Sequence, residues 1–280
     1  MMSQAATATG RDTPPPATAT RTGLDLLRAE WTKVRTVPET GWLIAATAVL
    51  TVAVSTAVIA VARCTPGASC TADTTKLSLT GIEAGQAVIA TLAVLAITSE
   101  YSTGMIRTTF TAMPRRFAVL AAKAAVLTGL VLPAATISVA GCLLAGREIL
   151  PGRGFTAARG FALLSLAHGP TLRAAVGSVL YLVLIGLLAL GVATIVRDSA
   201  AATGTVLGLL YLAPILTAFV GNPVWQRRIE RYGPTSAGLT IQETTGGHLP
   251  IGPWGGLAVL AIWAAAALLA GGLLLRFRDA

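Results

Sequence analysis

The chain has 280 residues, 54% of them hydrophobic and only 12% charged, with a mean hydropathy of +0.72. Soluble domains carry about 25% charged residues, so this composition excludes an ordinary soluble domain and points to lipid as the solvent. The net charge of +9, from 21 Lys and Arg against 12 Asp and Glu, sits mostly in segments beside apolar runs, where basic side chains meet lipid head groups and set topology rather than bind nucleic acid.

Residues 1–22 are rich in Ala, Thr and Pro and hold no apolar stretch. They read as a disordered cytoplasmic tail, not as a secretory signal. In residues 23–38, Leu24, Leu27, Trp31 and Val34 fall on one helical stripe, with Arg28, Lys33 and Arg35 largely off it. Gly23 and Pro38 bracket the segment. This pattern predicts an amphipathic helix lying in the membrane interface, anchored by Trp31. A cytoplasmic helix packed on protein is the alternative.

Six apolar runs follow, at about 41–62, 81–99, 124–145, 174–196, 200–221 and 254–275. A bilayer core needs about 20 apolar residues per helix, and helices satisfy their backbone hydrogen bonds internally. The predicted fold is therefore an all-α membrane protein with six transmembrane helices and an N-terminal interfacial helix. A barrel would show alternating segments of roughly ten residues instead. An even number of spans puts both ends on one side. The basic residues of the Arg107 to Lys123 loop, and those flanking the first span, favour a cytoplasmic location for that side.

After the first span, Cys64 and Cys70 lie in one short loop, close enough to form a disulfide if that loop faces an oxidising compartment. Two unpaired thiols are the alternative. Cys142, inside the third run, reads as a small buried residue. Within the second run, Gly81 and Gly85 form a small-xxx-small pair that permits close helix packing, as do Gly204 and Gly208 in the fifth. Glu83 is the one ionisable residue inside a run, and Gln86 shares its helix face. The two are candidates for a polar substrate path, because intramembrane charge is costly and is often functional. The competing reading places Glu83 near the outer end of its span, within reach of water.

Residues 100–116, EYSTGMIRTTFTAMPRR, join the second and third spans. Ser102 or Thr103 can cap a short helix that Pro114 ends, with Ile106, Phe110 and Met113 on one face. Pro133 and Pro214 are expected to kink spans three and five. Arg197 and Asp198 make a tight turn between spans four and five. The segments 146–173 and 222–253 are longer, and either could dip partly into the membrane where protein or water covers the backbone. Residues 276–280 form the cytoplasmic end.

No phosphate-binding loop is present, since no Lys follows a Gly. His168 and His248 are the only histidines and read as solvated loop residues, and no zinc-ligand spacing occurs. Neither an enzyme nor a metal site is therefore expected.

The segments LLRAEWTKVRTV (26–37), EYSTGMIR (100–107), PRR (114–116), LRAAVGSVLY (172–181) and RFRDA (276–280) together resemble the type-2 membrane permeases of bacterial ATP-binding-cassette (ABC) exporters, in the form abundant in actinobacteria. EYSTGMIR is the most specific piece. The resemblance implies a six-helix half-transporter in the bacterial cell membrane, with both termini cytoplasmic. It implies pairing of two permeases as a homodimer or heterodimer, and a separate ATP-binding subunit that holds ATP and Mg. This chain would bind no cofactor. The resemblance assigns the ATPase-coupling interface to Trp31, Lys33 and Arg35 and to Glu100, Tyr101, Ser102, Thr103, Gly104, Met105, Ile106 and Arg107. It also implies a re-entrant outer segment at 222–253, whereas Glu83 is not part of the family pattern. The alternatives are a stand-alone channel or proton-coupled carrier, and a non-transporting sensory or assembly component of the same fold.

Overall fold

A computed structural model of the chain describes residues 27–32, 38–64, 72–105, 116–159, 161, 164–219, 221–245 and 251–277. The described secondary structure is helical throughout. Helix α1 covers residues 27–32. It is followed by α2 (Pro38–Val61), α3 (Thr74–Ser78), α4 (Ile82–Ser102) and α5 (Arg116–Ile149). Then come α6 (Gly169–Val196), α7 (Ser199–Phe219), α8 (Pro223–Tyr232), α9 (Pro234–Gly238) and α10 (Pro253–Phe277). Short 3-10 turns occupy Pro151–Arg153, Ala157–Arg159 and Leu239–Gln242.

Six helices, α2, α4, α5, α6, α7 and α10, are long and apolar enough to cross a membrane. They correspond one to one with the six predicted runs and point to a multi-pass membrane protein. The largest difference is in α5, which spans 34 residues where the apolar run covers only 124–145. At about 1.5 Å per residue this helix is roughly 51 Å long, against a hydrocarbon core of about 30 Å. The apolar run marks only the stretch suited to hydrocarbon. The helix itself continues through Arg116, Lys123, Arg147 and Glu148 because none of these residues breaks it.

Helix α6 is the centre of the bundle. It packs against α4, α5, α7 and α10, and Leu182, Ile185 and Leu190 on it are fully buried. Helices α2 and α7 are peripheral and leave much of their apolar surface outward, as expected where lipid is the solvent. Between such helices, close backbone approach replaces the hydrophobic effect as the source of packing. The Gly81/Gly85 pair shows this directly. A β-carbon on Gly81 would sit 2.0 Å from the Thr51 carbonyl oxygen, and one on Gly85 would sit 2.2 Å from Thr51 Oγ1. The Gly81 amide donates to Ser55 Oγ at 2.9 Å, tying the start of α4 to α2. The Gly204/Gly208 pair behaves differently: a β-carbon at either position meets nothing within 4 Å.

Several buried hydroxyls bond within their own helices. Thr51 donates to the Thr47 carbonyl, Ser138 to Ala134 and Thr194 to Leu190, at 2.6, 2.7 and 2.7 Å. Pro133 and Pro214 lie inside α5 and α7, which continue past them.

Polar contacts at the helix ends and connections divide the molecule into two faces. Glu30, Glu100, Arg116, Lys123 and Leu275 are brought together at the face that carries both described ends of the chain. Asp73, Lys76, Arg173 and residues 243–245 meet at the opposite, far face. There, α9 and the following 3-10 turn pack against α6 and α10, burying Thr235, Ala237, Ile241 and Gln242. The irregular backbone of this segment is thus covered by protein, as hydrocarbon requires. Cys64 is disulfide-bonded, Cys142 is a buried free thiol, and Cys70 lies outside the described residues.

Candidate functional site

Three charged side chains from three separate helices converge at the face carrying the chain ends. Lys123 Nζ donates to Glu30 Oε2 at 2.9 Å and to Glu100 Oε1 at 2.7 Å. Only 4% of the lysine side chain and 7% of each glutamate side chain remain exposed. Glu30 comes from α1, Glu100 from the last turn of α4, and Lys123 from two turns inside α5. A charge removed from water is costly unless a partner and hydrogen bonds compensate it. One ammonium with its three donors can serve two carboxylates at once, so Lys123 holds α1 and the end of α4 to the same point on α5.

Neighbouring contacts extend this junction. The Arg197 guanidinium lies over the Tyr101 ring at 5.4 Å from its centroid, joining the end of α4 to the α6–α7 turn. Arg197 adopts a left-handed backbone with φ of 65°, which lets the chain reverse in the two residues between α6 and α7. The Arg116 guanidinium donates to the Leu275 carbonyl at the end of α10. Four of the six long apolar helices, and the turn leading into a fifth, are therefore tied together at one end of the bundle.

The coupling residues expected from the resemblance divide into four groups. Glu100 lies in the buried charge cluster, and Tyr101 is half-buried beneath Arg197. Trp31 and Met105 are exposed, at 48% and 45%, and present large apolar side chains near the cluster. Ser102 and Thr103 close α4, both hydroxyls donating back to the Ser99 carbonyl at 3.0 and 2.8 Å, and the short helix expected after them falls on residues 106–115, outside the described residues. Gly104 follows with φ of 69°, a left-handed stop that glycine makes at little cost. Lys33, Arg35, Ile106 and Arg107 lie outside the described residues.

Sequence reasoning missed Glu30 and the burial of Lys123. Leu27 and Trp31, the apolar stripe of the first helix, point outward, and Glu30 is the residue of α1 that faces the bundle. The available signal was Lys123 itself, because a lysine directly ahead of an uncharged run needs acidic partners once its helix packs.

Glu83 and Gln86 share a helix face as expected but differ in environment. Glu83 is exposed in the first turn of α4, while Gln86 is fully buried. The Tyr181 hydroxyl donates to Gln86 Oε1, and the Tyr211 hydroxyl donates to the Glu83 carbonyl. Gln242 Nε2 donates to Ser178 Oγ at 3.2 Å. These side chains form a polar patch in the far half of the bundle, linking α4, α6, α7 and the segment before α10.

A second polar junction clamps the far face. Asp73 Oδ1 accepts from the Thr75 and Lys76 amides at 3.0 and 3.1 Å and from Thr244 Oγ1 at 2.7 Å. Its Oδ2 accepts from the Thr245 amide at 3.0 Å and from the Thr244 amide. Burial alone would raise the Asp73 pKa, but the Thr244, Lys76 and Thr245 hydrogen bonds outweigh it and hold the carboxyl below its ordinary value. Lys76 pairs with Glu243 at 2.9 Å, and Arg173 donates to the Glu243 carbonyl. Among the described residues, no group of three or more His, Cys, Asp and Glu side chains converges to hold a metal ion.

No protein-family model matches the chain, and a search of curated proteins returns no matching relative.

Proposed function

We propose that this chain is the membrane-spanning permease subunit of an ABC exporter, driven by a separate ATP-binding subunit. The observation that carries the reading is the Lys123 junction, in which one buried ammonium holds both Glu30 of α1 and Glu100 of α4. These are the two elements to which the family resemblance gives contact with the ATPase. In this mechanism the ATP-binding subunit docks on the face carrying the chain ends, in the cytoplasm of a bacterial cell, against α1 and the segment after α4. ATP binding closes two such subunits on a permease dimer. The charge cluster then moves α1, α4 and α5 as one unit, and the bundle opens toward the far face. The permease contributes differential binding to its two conformations and no catalytic residue. ATP and Mg reside in the partner. The polar patch at Gln86, Tyr181 and Tyr211, with Glu83 beside it, lies on the proposed substrate path.

The test is co-expression with a candidate ATP-binding subunit, co-purification in detergent, and a screen for compounds that stimulate ATP turnover. The expected result is a stable complex whose stimulated turnover falls in Glu100→Gln while assembly persists. Failure to associate with any ATP-binding subunit, or full stimulation in Glu100→Gln, counts against the reading. The buried Gln86–Tyr181 pair favours one second reading, a stand-alone channel or carrier. Solute flux through liposomes holding only this chain, without nucleotide, would support that reading instead.

A further inference from the structure

At the far face a cavity of about 220 Å³ opens between the end of α5, the start of α3 and the residues leading to α6. Leu150, Phe155, Phe161 and Leu164 form its apolar wall, and Arg147 lies at its edge. The wall is built firmly. Phe155 and Phe161 meet edge to face at 5.0 Å between ring centroids, and Leu150 and Phe155 belong to a small buried cluster with Ile59 and Cys64. Arg147 makes no hydrogen bond or ion pair among the described residues. Glu148, its neighbour in sequence, does not line the cavity.

We infer that this cavity is a binding site for one anionic lipid, with the head group on Arg147 and the first part of an acyl chain against the apolar wall. Three observations lead there. First, an exposed guanidinium without an acceptor among the described residues, beside aromatic and aliphatic side chains, matches an amphiphile that carries an anionic oxygen group. Second, the cavity is smaller than the roughly 300–1,000 Å³ of pockets that enclose a whole drug-sized ligand, so it suits a molecule most of which lies elsewhere. Third, its depth is that of a head group. Lys123 and Arg147 are 24 residues apart on α5, about 36 Å at helical rise, so a hydrocarbon core of about 30 Å fits between them. The site depends only on membrane embedding and is independent of how transport is driven.

The test uses the full-length chain, purified in detergent, stripped of lipid and titrated with phosphatidylglycerol or phosphatidylcholine under native mass spectrometry. The first phosphatidylglycerol bound is expected to be held about tenfold more tightly than the first phosphatidylcholine. Arg147→Ala should abolish that preference, and Arg147→Lys should largely keep it. Ala157→Trp, at an exposed position on the rim, should block binding with Arg147 intact. Inorganic phosphate at millimolar concentration should not displace the lipid. Equal affinity for the two lipids in the unmodified chain overturns the inference, as does undiminished preference in Arg147→Ala or unchanged binding in Ala157→Trp. Displacement by phosphate would identify a free-anion site and would overturn the lipid assignment.

Discussion

Replacing Lys123 with Met is the most informative perturbation of the charge junction. The substitution keeps the volume and the apolar stem and removes only the ammonium. Glu30 and Glu100, each with 7% of its side chain exposed, then keep their carboxylates without the cation that both contact. Breaking a buried ion pair by deleting one partner costs about 3–5 kcal/mol, or about two to four powers of ten in the folded-to-unfolded ratio. Removing all three charges together should cost far less, because apolar or neutral replacement of a whole buried ionic cluster is often neutral or stabilising by about 1–4 kcal/mol. The assay is equilibrium unfolding in detergent on three chains: wild type, Lys123→Met, and the triple variant Glu30→Gln, Lys123→Met, Glu100→Gln. Lys123→Met should unfold at a clearly lower denaturant concentration, and the triple variant should recover much of the loss. A single variant as stable as wild type would refute the buried cluster. A triple variant worse than the single one would show that the side chains act independently.

Other expectations concern the far face and the helix contacts. The Asp73 carboxyl is held below its ordinary value in the folded chain, so its contribution is complete above about pH 4. That contribution is lost as pH falls through the lowered folded value. Thermal midpoints measured from pH 6 down to 3 should therefore drop less steeply in Asp73→Asn, which should also be destabilised by about 1–3 kcal/mol at neutral pH; parallel curves would contradict this. Gly81→Ala places a methyl 2.0 Å from the Thr51 carbonyl oxygen and should cost about 1–3 kcal/mol by wedging α4 from α2, whereas Gly204→Ala should leave the unfolding midpoint unchanged. Cys64 is disulfide-bonded, so alkylation read by peptide mass spectrometry should modify it only after reduction. Labelling of Cys64 without a reductant would contradict the bond.

The spanning helices were legible because hydrocarbon imposes a length and an absence of charge that composition reveals directly. The Gly81/Gly85 packing was legible for a related reason, since small residues at helical spacing are what close approach requires. Gly204 and Gly208 show the limit of that signal: the same spacing occurs with nothing packed on it. The charge cluster was not legible as a unit. Glu30 and Lys123 are 93 residues apart and Glu100 and Lys123 are 23 apart, and no local pattern joins them. Lys123 lies one residue before the third apolar run and so reads as a loop cation, although the helix continues through it. Glu83 attracted attention as the lone charge in a run, yet it is exposed, and the buried polar residue lies one turn further on, at Gln86. The Asp73 clamp joins residues 171 positions apart, which sequence spacing cannot anticipate.

The most direct measurement is site-specific cross-linking from the two exposed apolar residues beside the charge junction. Trp31 and Met105 would each be replaced by a photoreactive amino acid, and inverted membrane vesicles containing the candidate ATP-binding subunit would be irradiated with and without ATP. Both positions are expected to yield an adduct with that subunit, at intensities that change on ATP addition. Adducts with lipid alone at both positions, from chains that remain folded in the membrane, would contradict a permease driven from this face.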